Sequence, residues 1–289
     1  MKLSNNAYFL SMDTPYEEAD VIVFGAPFDG TTSYRPGTRF AASQMRHESD
    51  GLETYSPLLE LDLETSKIRD VGDIELSNGN TVKSLSQIKE VASCILKDDK
   101  KLLMIGGEHL VTLPVIEALM EKHPDLYVLH FDAHTDLRET YHHEVLSHAT
   151  VIRRCWDLLG DGRIFQFGIR SGMKTEFDFA LAQKHTYMEP FSVETVTEIL
   201  KQLTGKKIYV TIDLDILDPS IFPGTGTPEP GGITFRELET VFLALKAADM
   251  TLLGADIVEL SPHYDQSQVS TIVACKVLRE LALLVANKS

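Results

Sequence analysis

Residues 126–136 read Leu-Tyr-Val-Leu-His-Phe-Asp-Ala-His-Thr-Asp. The first part, Leu126–Phe131, is short and nearly continuously apolar, which is typical of a parallel strand covered on both faces. Asp132, His134 and Asp136 follow at a spacing of two, so in an extended segment they point to the same side. Three such polar groups are costly to bury unpaired, and a bound metal removes that cost. The stretch therefore predicts a strand that delivers metal ligands at its carboxyl end.

Short apolar runs alternate with longer amphipathic stretches along the whole chain. The predicted strands are Val21–Gly25, Leu102–Ile105, Leu126–Phe131, Ile164–Gly168, Lys207–Ile212 and Leu252–Val258. The predicted helices are Thr81–Lys97, Leu110–Lys122, Phe191–Leu203, Phe235–Ala248 and Gln266–Ala286. Such alternation favours βαβ units, so we predict an α/β fold: a three-layer αβα sandwich with a mostly parallel central sheet, in one domain over residues 1–289. A closed (β/α)₈ barrel is the alternative that this pattern leaves open.

Three other predicted strands also end in residues that can bind metal. His109 follows the strand at 102–105, Asp213 and Asp215 follow the strand at 207–212, and Glu259 follows the strand at 252–258. Ligands bind beyond the carboxyl ends of strands in both candidate folds, so these side chains are expected to meet. Asp132 and Asp213 could each present one oxygen to each of two cations.

The predicted ligand set is rich in oxygen, with some imidazole and no cysteine. Its members are His109, Asp132, His134, Asp136, Asp213 and Asp215. Such a set suits manganese, with iron, cobalt or zinc as substitutes. Two such ions lower the pKa of a water held between them, which indicates a hydrolase.

Two further segments are predicted to lie near the substrate. His148 has no obvious partner in the ligand set and could transfer protons near neutral pH, whereas His142 and His143 are expected in a solvent-facing loop. Residues 223–232 are rich in glycine and proline. No lysine follows them, which argues against a phosphate-binding loop, so we expect a rigid loop that folds over the site. Asp218 with Pro219 is expected to begin the turn before this loop.

Together these motifs resemble the ureohydrolases, the arginase/agmatinase family, over roughly residues 20–285, and they look most like the bacterial agmatinases. The matching motifs are Gly-Gly-Glu-His at 106–109, Asp-Ala-His-Thr-Asp at 132–136, Ser-His at 147–148, Asp-Leu-Asp at 213–215 with Asp218-Pro219, Gly-Thr-Gly-Thr-Pro at 224–228, and Glu259. The resemblance implies the arginase-type αβα sandwich and two Mn²⁺ ions. One ion would be held by His109, Asp132, Asp136 and Asp213, and the other by Asp132, His134, Asp213 and Asp215.

The resemblance also implies an activity and a role for each remaining residue. The reaction would be hydrolysis of the guanidinium of agmatine to putrescine and urea. Asp136 would take a proton from the attacking water and pass it to the leaving amine, with His148 as the proton shuttle. Glu259 and Thr227 would position the guanidinium, a cation that a carboxylate can hold through two hydrogen bonds. Family members are usually homo-oligomers, often trimers or hexamers.

The exact substrate is less constrained by the sequence than the chemistry. Residues 137–141 look like the agmatinase version of this segment, but Arg138 could bind an acidic substrate or form a surface ion pair with Glu139 or Glu144. Ala149 stands where a glycine is common in the family. Arginase, guanidinobutyrase and formimidoylglutamase activities are therefore alternatives.

Two more distant classes are weighed against the ureohydrolase interpretation. A metallophosphoesterase would need a Gly-Asn-His motif. Gly107-Glu108-His109 lacks the Asn, and Gly72-Asp73 is followed by Ile74-Glu75. An inactive metal-binding homologue is the other alternative, since a fold does not guarantee activity.

The composition limits the classes of partner that the protein is expected to bind. The 289 residues carry 43 acidic and 27 basic side chains, for a formal net charge of -16, which disfavours nucleic acid and anionic membranes and favours a cationic small molecule.

The three cysteines, Cys94, Cys155 and Cys275, are scattered and form no Cys-x-x-Cys pair. Such usage is typical of a reducing cytoplasm. The N-terminus lacks the apolar core of a signal peptide, and no apolar run reaches the ~20 residues of a membrane helix. We therefore expect a soluble, cytoplasmic protein.

Overall fold

A computed structural model describes residues 8–182, 184–189 and 191–288. The strands are β1 (Val21–Gly25), β2 (Tyr55–Ser56), β3 (Leu61–Asp62), β4 (Ile68–Asp73), β5 (Lys101–Ile105), β6 (Leu126–Phe131), β7 (Ile164–Phe167), β8 (Tyr187–Glu189), β9 (Lys207–Asp213) and β10 (Thr251–Val258). The helices are α1 (Ala41–Glu48), α2 (Thr81–Lys97), α3 (Thr112–Lys122), α4 (Val151–Leu159), α5 (Lys174–Ala182), α6 (Val193–Gln202), α7 (Phe235–Ala247) and α8 (Val269–Asn287).

Eight strands form one sheet in the order β4-β1-β5-β10-β9-β6-β7-β8, and all neighbours are parallel. β2 and β3 form a separate antiparallel hairpin. β4 and β8 are the edges of the large sheet, so the sheet is open. The predicted sandwich with a parallel sheet is therefore confirmed, and the closed barrel alternative is wrong.

Alternating side chains of each central strand enter two different cores. In β1, Val21 and Val23 pack with residues of α1, α6, α7 and α8. Ile22 and Phe24 pack on the opposite face with residues of α2, α3 and α4. The period of two in a strand thus places a helical layer on each face of the sheet, which explains why the central strands are mostly apolar on both faces.

The five predicted helices are present; two begin at the predicted residue, Thr81 and Phe235, and three begin later. The stretch predicted from Phe191 begins at Val193, because the Ser192 side chain accepts a hydrogen bond from the Thr195 amide and caps the helix. The stretch predicted from Leu110 begins at Thr112, after a 3-10 turn over His109–Val111. The last helix begins at Val269 rather than Gln266. β4, β8, α1, α4 and α5 were not predicted. In the described part of the chain, no helix is both long and apolar enough to cross a bilayer.

Candidate metal centre

The sheet order explains why distant segments meet at one place. β5, β10, β9 and β6 are consecutive neighbours, and because they are parallel their carboxyl ends share one edge. Gly107, just after β5, lies so close to the loop after β1 that a Cβ there would be 1.9 Å from the Phe28 carbonyl oxygen. Its own carbonyl accepts a hydrogen bond of 2.9 Å from the Glu259 amide, just after β10. Only glycine therefore allows these three loops to pack together.

His109 presents its Nδ1 atom to three buried carboxylates. The distances from Nδ1 to Oδ2 are 3.1 Å for Asp132, 3.3 Å for Asp136 and 3.4 Å for Asp213. On the other side of the ring, Nε2 lies 3.0 Å from the Thr211 hydroxyl, which itself donates to Asp256. That hydroxyl must therefore accept from His109, so Nε2 carries a proton, and whenever the ring is neutral its Nδ1 lone pair faces the carboxylates.

His134 forms a second group that shares Asp132 with the first. Its Nδ1 lies 3.0 Å from Asp215 Oδ2 and 3.5 Å from Asp132 Oδ1. Asp132 thus directs one oxygen toward His109 and the other toward His134, which is the arrangement of a carboxylate that bridges two cations. Asp213 contacts the first group through Oδ2, while its Oδ1 accepts a 2.9 Å hydrogen bond from the Asp215 amide.

The electrostatics of this cluster fit a cation. Burial, followed by repulsion from other carboxylates, raises the pKa of Asp136 to about 7 and raises those of Asp213 and Glu259 well above their ordinary values. Burial acts to lower the pKa of His109, but the three carboxylates outweigh it and hold that pKa well above its usual range. His109 Nδ1 is buried and makes no well-directed hydrogen bond to any described residue. A divalent cation would satisfy this nitrogen and the crowded carboxylates together.

Two site residues lie in backbone conformations that non-glycine residues rarely adopt. The φ angle is 51° at Asp136 and 66° at Glu259. Each such residue costs about 1–3 kcal/mol, and such residues cluster at active sites. At both positions the turn directs an acidic side chain into the same cavity.

The cavity beside the cluster has a volume of about 310 Å³. Six residues that the sequence singled out line it: His134, Asp136, His148, Asp213, Thr227 and Glu259. Thr227 comes from the glycine-rich loop at 223–232, and its hydroxyl donates to Asp215 at 3.3 Å. The loop thus reaches the cavity through Thr227, and its role as a cover over the site stays a prediction. Asp218 begins the preceding turn, as predicted, by accepting from the Ser220 amide.

His148 is held by a loop that sequence reasoning missed. Thr31 donates its hydroxyl hydrogen to Glu108, so it can only accept from the His148 amide at 3.1 Å and from Nδ1 at 3.5 Å. Ser33 lies 3.4 Å from Nε2. Burial is the main cause that lowers the pKa of His148 to about 4, so the ring is neutral at pH 7. Thr31 and Ser33 carry no motif of their own, and only the β1–β5 pairing brings them here.

Arg138 pairs with a residue that was not predicted. Its Nε lies 3.6 Å from Glu176 Oε2, so the expected partners Glu139 and Glu144 were wrong. Glu176 is buried and also accepts from the Leu137 and Met173 amides at 3.1 and 2.7 Å. Both Arg138 and Glu176 line the cavity. His142 and His143 are exposed, as predicted.

Comparisons with known proteins show the family of the chain. A profile of the Arginase family matches residues 19–284. An agmatinase from Bacillus cereus is 46% identical over 275 residues, which cover 95% of this chain and 95% of that protein. A solved structure from Clostridium difficile, proposed to be an agmatinase, is 58% identical, with a TM-score of 0.93 over 94% of this chain and 99% of its own. The human mitochondrial guanidino acid hydrolase is 34% identical over 94% of this chain and 80% of its own length.

The chain belongs to the arginase family of ureohydrolases. Within that family it resembles the bacterial agmatinases, as its motifs predicted, and it is an enzyme of the hydrolase class.

Proposed function

We propose that this protein hydrolyses the guanidinium of agmatine to putrescine and urea at a site that holds two Mn²⁺ ions. The observation that carries the proposal is the position of Asp132, with one oxygen toward His109 and the other toward His134. The similarity to agmatinases over nearly the whole chain supports the choice of substrate.

The proposed ligands divide into two sets that share Asp132 and Asp213. One set adds His109 and Asp136, and the other adds His134 and Asp215. Oxygen and imidazole ligands without thiolate suit manganese. When bound, two such cations lower the pKa of a water between them and stabilise the negative charge that develops during attack on the guanidinium carbon.

The protein's own side chains orient the substrate and move the protons. Glu259 and Thr227 line the cavity from two neighbouring loops that are joined by a bridge between Thr225 and Leu260, and they are proposed to hold the guanidinium by hydrogen bonds. Asp136, at the inner end of the cavity, is proposed to accept the proton of the attacking water and pass it to the leaving amine. His148 is a neutral imidazole within the same cavity and is proposed to shuttle a proton between the amine and solvent.

The charge of the cavity favours a substrate with no carboxylate. Apart from the proposed metal ligands, Glu259 and Glu176 line it, and Arg138 in the lining is paired with Glu176. An agmatine molecule, which is cationic at both ends, matches such a lining. Arg138 nevertheless supports a second candidate, a guanidino acid such as 4-guanidinobutyrate, because part of its guanidinium faces the cavity. A human relative at 34% identity is a guanidino acid hydrolase.

A substrate panel separates these candidates. Manganese-loaded protein is given agmatine, arginine, 4-guanidinobutyrate and formimidoylglutamate, with urea as the product measured for the first three and formamide for the last. The expected result is a turnover of agmatine well above the turnover of the other three substrates. A preference for 4-guanidinobutyrate would overturn the agmatine assignment and give Arg138 a role in specificity. Failure to hydrolyse all four would favour an inactive homologue.

We also propose that the protein works in the cytoplasm as a homo-oligomer, a trimer or hexamer, without nucleic-acid or membrane partners. The net charge of -16 supports the absence of anionic partners. Light scattering of the purified protein measures the mass, and a monomer at micromolar concentration would contradict the oligomer.

A further inference from the structure

His130, inside β6, is a buried histidine that the proposed reaction does not use. It faces Gln166 of β7, its direct partner in the parallel pair. The Gln166 amide group is fixed by two neighbours that leave no choice of orientation. The Thr135 carbonyl oxygen can only accept a hydrogen bond, so the atom 2.9 Å from it must be the Gln166 nitrogen Nε2, which donates. The Gln166 oxygen Oε1 then accepts from the Thr186 hydroxyl at 2.8 Å.

The fixed amide decides which nitrogen of His130 carries the proton. Gln166 Nε2 also lies 3.0 Å from His130 Nδ1, and because Nε2 is a donor, Nδ1 must be an unprotonated acceptor. The neutral ring therefore carries its proton on Nε2. That atom lies 2.8 Å from Asp132 Oδ2, so it donates a hydrogen bond to the carboxylate.

We infer that His130 is a positioning residue that fixes Asp132 between the two metal-binding groups, and that it is not itself a metal ligand. His109, His130 and Asp132 lie close enough together to suggest a metal site of their own. Both nitrogens of His130 are already engaged, however: Nδ1 accepts from Gln166, and Nε2 donates to Asp132. A ring without a free lone pair cannot bind a cation.

The hydrogen bond from His130 matters because Asp132 lies between the two proposed metal-binding groups. The His130 hydrogen bond holds Oδ2 at 3.1 Å from His109 Nδ1, while Oδ1 faces His134. Without this donor, the orientation of the carboxylate would rest on the His134 amide, 2.5 Å from Oδ1, and the carboxylate would be freer to turn about its Cβ–Cγ bond and lose one of its two partners. Outer-shell partners of this kind typically change metal affinity by about 10–100-fold. The positioning role rests on the proposed two-metal site, whereas the assignment of the proton does not.

The test combines two variants with two measurements. His130→Phe keeps a ring of similar size but removes the donor, and His130→Gln keeps a donor that can reach Asp132. Manganese dissociation constants are measured by competition with a chelator, and thermal unfolding shows that each variant is folded. In the wild-type protein, ¹H–¹⁵N correlation spectra of the imidazoles identify the protonated nitrogen of His130, with its signal assigned by its loss in the variants.

The expected result is a proton on Nε2 in the wild type. Mn²⁺ binding should be weakened roughly 10–100-fold by His130→Phe, and much less by His130→Gln. A proton on Nδ1 would overturn the inference, as would wild-type affinity in folded His130→Phe or equal weakening in both variants. If the wild type itself binds no Mn²⁺, the proposed metal site and the positioning role both fail. The spectra then still decide the proton assignment, and they also decide it where His130→Phe does not fold.

Discussion

Hydrogen bonds behind the site decide which nitrogen of each histidine can face a cation. Thr211 holds the proton of His109 on Nε2 and leaves Nδ1 toward the carboxylates. Gln166 likewise leaves the proton of His130 on Nε2, but it donates to Nδ1 and so keeps that nitrogen occupied. Two neighbouring imidazoles therefore have different roles, although both are buried and both lie beside Asp132. The residue type alone predicts neither role.

His148→Phe should preserve metal binding and lose most turnover. The side chain contacts Thr31 and Ser33 rather than the proposed ligands, so its loss removes a proton carrier without disturbing the cations. General acid–base groups contribute about 100–10,000-fold, and we expect a loss of kcat in that range. Steady-state kinetics and metal analysis measure the two effects.

The matched control for this prediction is His143→Phe, because His143 is exposed on the neighbouring loop. It should retain wild-type kcat. An unchanged rate in His148→Phe would remove that residue from the mechanism.

The secondary-structure elements bring these residues together through loops at one edge of the sheet. The loop at 218–232 is held at its base by the Asp218 carboxylate, whose Oδ2 accepts from the Gly231 and Gly232 amides at 2.9 and 3.0 Å. Arg170 also contacts this loop by donating to the Glu229 carbonyl oxygen at 2.7 Å. The hydrogen bonds that Asp218 accepts lower its pKa to about 2, with the largest contribution from Ser220. The carboxylate thus closes the base of the loop that carries Thr227.

Asp218→Ala should lower the melting temperature by a few degrees and reduce kcat/KM for agmatine about tenfold, because small displacements of a positioning loop are costly. Asp178→Ala, which removes only an exposed pair with Lys174, is the control and should change neither value. Thermal unfolding and steady-state kinetics are the measurements. Wild-type kinetics in Asp218→Ala would show that the loop holds its place by other contacts.

The sequence predicted mainly the strands and helices whose hydrophobic pattern is clear. The six predicted strands are covered on both faces and therefore apolar, whereas β4 reads Ile-Arg-Asp-Val-Gly-Asp and lies at the edge of the sheet. Its Asp70 is buried against Arg46, an ion pair that no local pattern reveals. β8 has only three residues and α5 only nine, too few for a clear period. α4 buries Val151, Ile152, Cys155 and Leu159 at helical spacing, so the sequence contained its pattern and the prediction missed it.

The candidate ligands were predictable for a related reason. Each ligand follows a strand with a clear apolar pattern. Because the carboxyl ends of parallel strands lie at one edge of the sheet, residues that follow such strands are expected to be close in space. Thr31 lies in a loop and Glu176 lies in the first turn of α5. The places of both depend on the strand order, which a sequence pattern does not contain. The pair between Arg138 and Glu176 was missed because 38 positions separate the two residues.

At the scale of the whole molecule, the excess of acidic side chains creates a field that attracts cations. The formal net charge is -16, and the cavity that leads to the site is itself acidic. The αβα fold was predicted from the alternation of elements, and the strand order came only from the structure. The single domain over residues 1–289 and the oligomeric state stay predictions.

This field predicts a dependence on salt. Raising ionic strength from about 20 to about 200 mM shortens the screening length severalfold, so kcat/KM for agmatine should fall several-fold while kcat stays constant. 4-Guanidinobutyrate, which has no net charge, is the control substrate and should respond less. Equal responses of the two substrates would show that the overall charge does not guide binding.

The most direct test of the two-metal site is the number of Mn²⁺ ions bound per chain, measured by elemental analysis of reconstituted protein. The comparison is between the wild type, Asp132→Asn and the control Asp125→Asn, whose carboxylate is exposed and pairs with Lys207. We predict two ions in the wild type and in Asp125→Asn, and the loss of both in Asp132→Asn, because that carboxylate faces both groups. Wild-type metal content in Asp132→Asn would contradict the bridging assignment.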